Sequence, residues 1–214
     1  MNPAYMGSRP DIESMVSAQA RLVLDVGCSN GTLGAAIKAR TEANVIGVEL
    51  SPTMAAEARN CLDQVFVDDA AAVFTTGKLD EFKFDTIIFA DVLEHLVDPW
   101  LVLQTATKYL TPEGTIIASL PNIRHIDTIY NLVVKGNWPY RDRGIHDRTH
   151  LRFFTKQNIL ELFNRSGLEI NRLETNYRLI EKPHSWNRLA KFIALPGIRN
   201  FLAFQYLIQA KRAE

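Results

Sequence analysis

The chain has 214 residues, 47% hydrophobic and 22% charged, which suits one well-cored α/β domain with a cap (residues 1–214) and excludes a fibre or a disordered chain. Lys+Arg and Asp+Glu both number 24, so no net charge draws the protein to nucleic acid, and none is expected as a partner. The two cysteines, Cys28 and Cys61, form neither a disulfide framework nor a CxxC pair, and no apolar run reaches the roughly 20 residues of a membrane span, so a soluble cytoplasmic protein is expected.

Residues 1–20 read as a polar N-terminal segment with a short helix near Asp11–Val16. Arg21–Gly27 is an apolar run that ends in a glycine-bearing loop, and Thr32–Arg40 after it has helical spacing. Asn44–Leu50 repeats the strand signal, and Ser51-Pro52 opens a helix expected to run to about Cys61. Gln64–Val67, Phe84–Ala90 and Thr115–Leu120 are three further strands, the last after an expected turn at Thr111–Gly114. Residues 122–152 carry three histidines and no clear strand, which predicts an inserted cap that lines the substrate side. A helix is expected over 155–166, and 168–177 and 202–211 are expected to pair as a closing antiparallel hairpin. Unbroken apolar strands alternating with helices imply a Rossmann-like, doubly wound, seven-stranded sheet, mostly parallel with that antiparallel pair at one edge.

Ligands of such sheets bind beyond the carboxyl ends of the strands, so the residues after each run carry the functional reading. The first loop is Asp25-Val26-Gly27-Cys28-Ser29-Asn30-Gly31, where glycines let a ligand approach the backbone. About twenty residues on, Glu49 ends the second strand, where a carboxylate can take hydrogen bonds from two ribose hydroxyls. A pyrophosphate-binding G-x-G-x-x-G counted from Gly27 needs glycines where Ser29 and Thr32 stand. The strand ends also present Asp25, Glu49, Asp68, Asp69, Asp91 and Glu94. This acidic rim repels a pyrophosphate and favours a cationic ligand, which weighs against an NAD-dependent oxidoreductase.

These segments, with Gly47-Val48-Glu49-Leu50-Ser51, Asp69-Ala70 and Phe84-Asp85-Thr86-Ile87-Ile88-Phe89-Ala90-Asp91-Val92-Leu93-Glu94-His95, resemble the successive motifs of class I S-adenosylmethionine-dependent methyltransferases, nearest the subgroup acting on small molecules such as quinone precursors and sugars. The resemblance covers residues 20–122. It implies that the backbone at Gly27, Cys28, Ser29 and Gly31 follows the cofactor S-adenosyl-L-methionine, that Asp25 faces its amino group and that Glu49 holds the ribose. Leu50 would pack on the adenine, Asp69 with Ala70 would meet its amino edge, and Asp91 with Val92 would lie beside the methionine portion. Ser29 departs from the family, which often has a third glycine there. The implied activity is methyl transfer to a small-molecule acceptor, most directly an oxygen of a sugar, phenol or quinone-like compound; a module that binds the cofactor without transfer is the alternative.

For the acceptor side, His146-Asp147-Arg148-Thr149-His150-Leu151-Arg152-Phe153-Phe154 is a dense polar run that resembles one found after the fifth strand in bacterial methyltransferases. His146 or His150 is expected as the base and Arg148 or Arg152 as the anchor of an anionic substrate group, with His95 and Asn122 also on the substrate side. The alternative for this run is a salt-bridged segment that locks the cap to the sheet. The four-residue spacing of His146 and His150 suits one helical face, but no third ligand and no HExxH glutamate is evident, so no metal is expected. Trp186–Ile193 mixes basic and apolar residues in a way that could suit an anionic membrane surface, but it is read as a packed helix with a solvated edge, and no membrane partner is expected.

Overall fold

The computed structural model describes residues 7–181 and 184–213. The apolar runs form five parallel strands: β1 (Leu22–Val26), β2 (Asn44–Glu49), β3 (Gln64–Val67), β4 (Phe84–Ala90) and β5 (Leu110–Pro121). Between them run α2 (Thr32–Thr41), α3 (Pro52–Ala58) and α4 (Pro99–Ala106), preceded by the short α1 (Pro10–Glu13). Two helices start on side-chain caps followed by proline: Ser51 accepts from the Met54 amide before Pro52, and Asp98 from the Leu101 amide before Pro99. Side chains alternate across the sheet. Leu24, Val26, Ile46, Val48, Ile87 and Phe89 enter one buried layer, and Val23, Val45, Ile88 and Ile117 enter the other.

Several boundaries differ from expectation. Thr111–Gly114 is a bulge inside β5, with Leu110 opposite Phe84 and Thr115 opposite Thr86, because Pro and Gly interrupt the ladder without turning the chain. α3 stops at Ala58, three residues early, and α1 is shorter than the expected Asp11–Val16. Beyond β5 the cap holds α5 (Ile126–Ile129), which continues as a wide turn over Tyr130–Val134, and then irregular chain. Residues 146–150 are not helical, so the four-residue spacing of His146 and His150 does not place them on one helical face. α6 (Lys156–Arg165) opens on a capping box in which Thr155 and Asn158 hydrogen-bond reciprocally.

β6 (Leu168–Tyr177) pairs antiparallel with β7 (Ala203–Arg212), and β7 pairs antiparallel with β5. The connection between them carries α7 (Asn187–Ile193) and α8 (Arg199–Leu202), so the pair closes the sheet edge through a long link and not a tight turn. The strand order is β3-β2-β1-β4-β5-β7-β6. β1 therefore has β2 on one side and β4 on the other, and the order reverses there. Such a switch point opens a crevice at the carboxyl ends of the strands.

Candidate active site

A cleft of about 610 Å³ occupies that crevice. Its wall includes Asp25, Gly27, Cys28, Ser29, Glu49, Leu50, Asp69, Ala70, Asp91, Val92 and His95, so eleven of the residues singled out in the sequence meet there. Five carboxylates (Asp25, Glu49, Asp68, Asp69 and Asp91) face one guanidinium, Arg9. Glu94 is not on this rim: it lies 1% exposed beneath it.

The loop after β1 is shaped by three left-handed residues, Gly27 (φ 74°), Ser29 (φ 51°) and Gly31 (φ 82°). A Cβ on Gly27 would sit 2.7 Å from the Val92 methyl, and one on Gly31 would sit 2.7 Å from Cys61 Sγ. Gly31 is thus packed against α3 and off the cleft wall. Ser29 adopts the conformation that the missing third glycine would take freely, a strain of about 1 kcal/mol or more held by the fold. Glu49 fixes it in place. Its Oε2 accepts from the Ser29 amide at 2.9 Å and its Oε1 from the Ser51 amide at 2.8 Å, and each oxygen keeps a lone pair for a ligand hydroxyl.

Asp25 is fully buried in β1, and its Oδ2 has no hydrogen-bond partner among the described residues. Burial first, and then the Glu49 charge, pushes its carboxyl up to about 7, against a downward pull from Arg9. Beside it the Cys28 thiol is pushed far above its usual range by burial and by Asp25 and Glu49, so it is no nucleophile. Asp91 has φ 59°, takes hydrogen bonds from Ser119 Oγ and Gln205, and pairs with Arg9. Arg9 also binds Asp11 at 3.0 Å. No sequence motif marked Arg9, which reaches the cleft from a segment 82 residues away from Asp91. Of the two adjacent acids, Asp68 is held by Lys78 at 2.7 Å, whereas Asp69 caps the turn at Ala71 and Ala72 with one oxygen only.

The polar run of the cap divides. Asp147 accepts from the Thr149 hydroxyl at 2.6 Å, and Thr149, on the cleft wall, stands 3.0 Å from His95 Nδ1. Since the threonine proton goes to Asp147, the His95 Nδ1–H donates to Thr149 Oγ1, and His95 Nε2 is left as an acceptor. His150 packs edge-on against His95 with centroids 4.7 Å apart and points its Nδ1–H to the Ile145 carbonyl; burial and the nearby His95 lower its pKa. Its Nε2 lies 4.0 Å from Glu94, whose own pKa is raised by burial and by Asp91. The backbone carbonyl of Glu94 accepts from the amides of Leu151 and Arg152, which docks the cap onto this turn.

The other cap residues lie away from the cleft. His146 is fully buried, 3.2 Å from Glu181, with its pKa lowered to about 4 by burial and the Arg141 charge. Arg141 bridges Asp127, at 3.0 Å, and Glu181, so His146 belongs to an ion cluster that locks the cap to the segment after β6. Arg148 pairs with exposed Asp142 at 2.6 Å. Asn122 donates to the Asn200 and Ala203 carbonyls, and Arg152 binds the Val97 carbonyl. Among the described residues, potential metal-ligating groups converge twice, at Glu94, His95 and His150 and at Asp127, His146 and Glu181; in the second, Arg141 already supplies the countercharge.

Residues 13–173 match the model of a family described as a methyltransferase domain. The chain belongs to that methyltransferase family. A ubiquinone biosynthesis O-methyltransferase of Cereibacter sphaeroides is 28% identical over 167 residues, and the match spans 74% of this chain but only 64% of that relative's length. A protein of the same name from Coxiella burnetii is 27% identical over 192 residues, 85% of this chain and 80% of the relative. A SAM-dependent methyltransferase from Archaeoglobus fulgidus superposes with a TM-score of 0.64 over 98% of this chain and 97% of that one at 17% identity, which shows a shared fold.

The cleft fits the cation S-adenosylmethionine, for which solved structures of the same fold are named. Asp25 offers a buried carboxylate oxygen with no partner among the described residues, the Gly27 position is bare of the side chain that Val92 would meet, and five acids line the wall. Leu50, 67% exposed at the lip, presents an apolar surface of the kind an adenine ring covers. Among the described residues no helix is long and apolar enough to cross a membrane.

Proposed function

We propose that the methyltransferase transfers the methyl group to an oxygen of a small, phenol- or quinone-like or sugar acceptor, with His95 as the general base. The Asp147–Thr149–His95 chain carries this reading, because it engages Nδ1 and turns Nε2 of a ring that lines the cleft toward a substrate hydroxyl. The two relatives named as O-methyltransferases support an oxygen acceptor. In this assignment Asp25 binds the cofactor ammonium, Glu49 the ribose and Asp69 the adenine edge, while Arg9 meets the methionine carboxylate. When bound, S-adenosylmethionine supplies an electrophilic methyl on a sulfonium.

The protein's own task is alignment, exclusion of water and removal of one proton. In transfer to an acceptor oxygen, His95 Nε2 would take the hydroxyl proton. Thr149 and Asp147 stabilise the imidazolium from the other side of the ring. His146 and Arg148, set away from the cleft, act on the cap's stability, and His150 orients His95 by packing.

The test pairs turnover with binding. His95→Gln is expected to keep S-adenosylhomocysteine affinity and to lower turnover roughly 100-fold or more against a catechol panel, with Thr149→Val intermediate. Loss of affinity in step with turnover would remove His95 from catalysis. Turnover lost on treatment with a chelator and restored by a divalent cation would assign Glu94, His95 and His150 to a metal instead.

A further inference from the structure

We propose that the segment from Trp186 to Arg199 docks the enzyme on an anionic lipid bilayer. Its apolar side chains point outward: Trp186, Leu189, Phe192, Ile193, Leu195 and Ile198 are all exposed, Phe192 by 82%. α7 buries only Ala190. At 100° per residue Trp186, Leu189 and Ile193 share one flank with Phe192 beside it, and Arg188 and Lys191 lie on the opposite side. A surface helix that merely packs on its own protein turns such a stripe inward. One that lies in a membrane interface turns it out, and lets lysine and arginine reach the headgroups.

The charge of the segment names the partner. From residue 184 to residue 213 there is no Asp or Glu, and Arg188, Lys191 and Arg199 form no ion pair among the described residues. Three free cations around an apolar stripe complement anionic headgroups. A second copy of the chain meeting this face about a two-fold axis would bring like charges together.

Its position ties docking to the cleft. β7 begins at the carboxyl end of β5, where Gln205 pairs with Pro121 and also reaches Asp91. Arg124 stacks on Phe201 at 4.5 Å, and Asn122 holds the Asn200 carbonyl, so the segment is anchored to the same sheet edge at which the cleft opens. Lipid contact there places the cleft rim near the headgroups, within reach of an acceptor with a bilayer-soluble part. The inference stands apart from the acceptor chemistry and from the role of His95.

Flotation of the full chain with mixed phosphatidylglycerol–phosphatidylcholine vesicles and with pure phosphatidylcholine vesicles tests it. Binding to the first, weak binding to the second, and release by salt are expected. Arg188→Gln with Lys191→Gln should lower vesicle partition roughly fivefold per charge, about 25-fold together, and Leu189→Ser with Phe192→Ser should abolish it. Unchanged S-adenosylhomocysteine affinity in both double variants shows that the fold and cofactor site survive. The proposal is overturned by absent binding, by equal binding of wild type and both variants, or by a solution dimer that only Leu189→Ser with Phe192→Ser dissociates.

Discussion

The proposed contact of Asp25 with the cofactor ammonium predicts an affinity that depends on pH. Burial pushes the Asp25 carboxyl up to about 7, so about one tenth is ionised at pH 6 and about nine tenths at pH 8. A cationic ligand binds the ionised form. Affinity for S-adenosylhomocysteine, which carries the ammonium, should therefore rise about tenfold over that range, or about 1.4 kcal/mol. At pH 7 binding should release about half a proton, measurable as a difference in calorimetric heat between phosphate and Tris. Because the folded-state pKa is raised from 3.8, the same group's contribution to the stability of the empty protein is full below about pH 4 and is lost as pH rises through about 7. Asp25→Asn should bind more weakly at pH 8 and lose the slope. A flat profile in the wild type, or an identical slope in Asp25→Asn, would refute the assignment.

Three other substitutions probe the cleft. Ser29→Gly relieves a left-handed serine whose buried hydroxyl has no partner among the described residues, so the unfolding free energy from denaturant titration should rise by up to about 1 kcal/mol; a fall would show that the serine makes a stabilising contact. Gly31→Ala meets Cys61 Sγ and the Ala58 backbone at φ 82°, and should cost about 2 kcal/mol or more in thermal or chemical unfolding; neutrality would mean that α3 shifts freely. Arg9→Met should weaken S-adenosylhomocysteine about tenfold and leave 5′-methylthioadenosine, which lacks the amino-acid part, unchanged. Equal loss for both ligands would make Arg9 a structural tie to Asp91 and nothing more.

The parts of this molecule legible in its sequence are those built from neighbours along the chain. The run Leu22–Val26, the glycines after it and Glu49 are set by local spacing, and Asp25, Gly27 and Glu49 meet in the cleft as expected, whereas Gly31 packs on α3. The cap was harder to read because its residues take their meaning from distant partners. His146 and His150 look equivalent four residues apart, yet Glu181 and Asp127 claim the first while His95 and Glu94 border the second. Thr149, unremarkable in sequence, gains its role only when the cap folds back over the turn at Leu93–His95. Arg9 sits in a segment with no periodic signal, and only the folded chain brings it to Asp91. The bulge at Thr111–Gly114 misled for a simpler reason: Pro and Gly mark irregular backbone without saying whether the strand resumes.

Asp91 is gripped by Arg9 and by Gln205, which are 196 residues apart and themselves in contact. During synthesis the parallel strands β1 to β5 can associate long before β7 emerges, yet in that intermediate the loop after β4 lacks one of its fastenings. Tight cofactor uptake should therefore wait for β7, and a nascent chain's ability to retain S-adenosylhomocysteine would time the insertion of that strand.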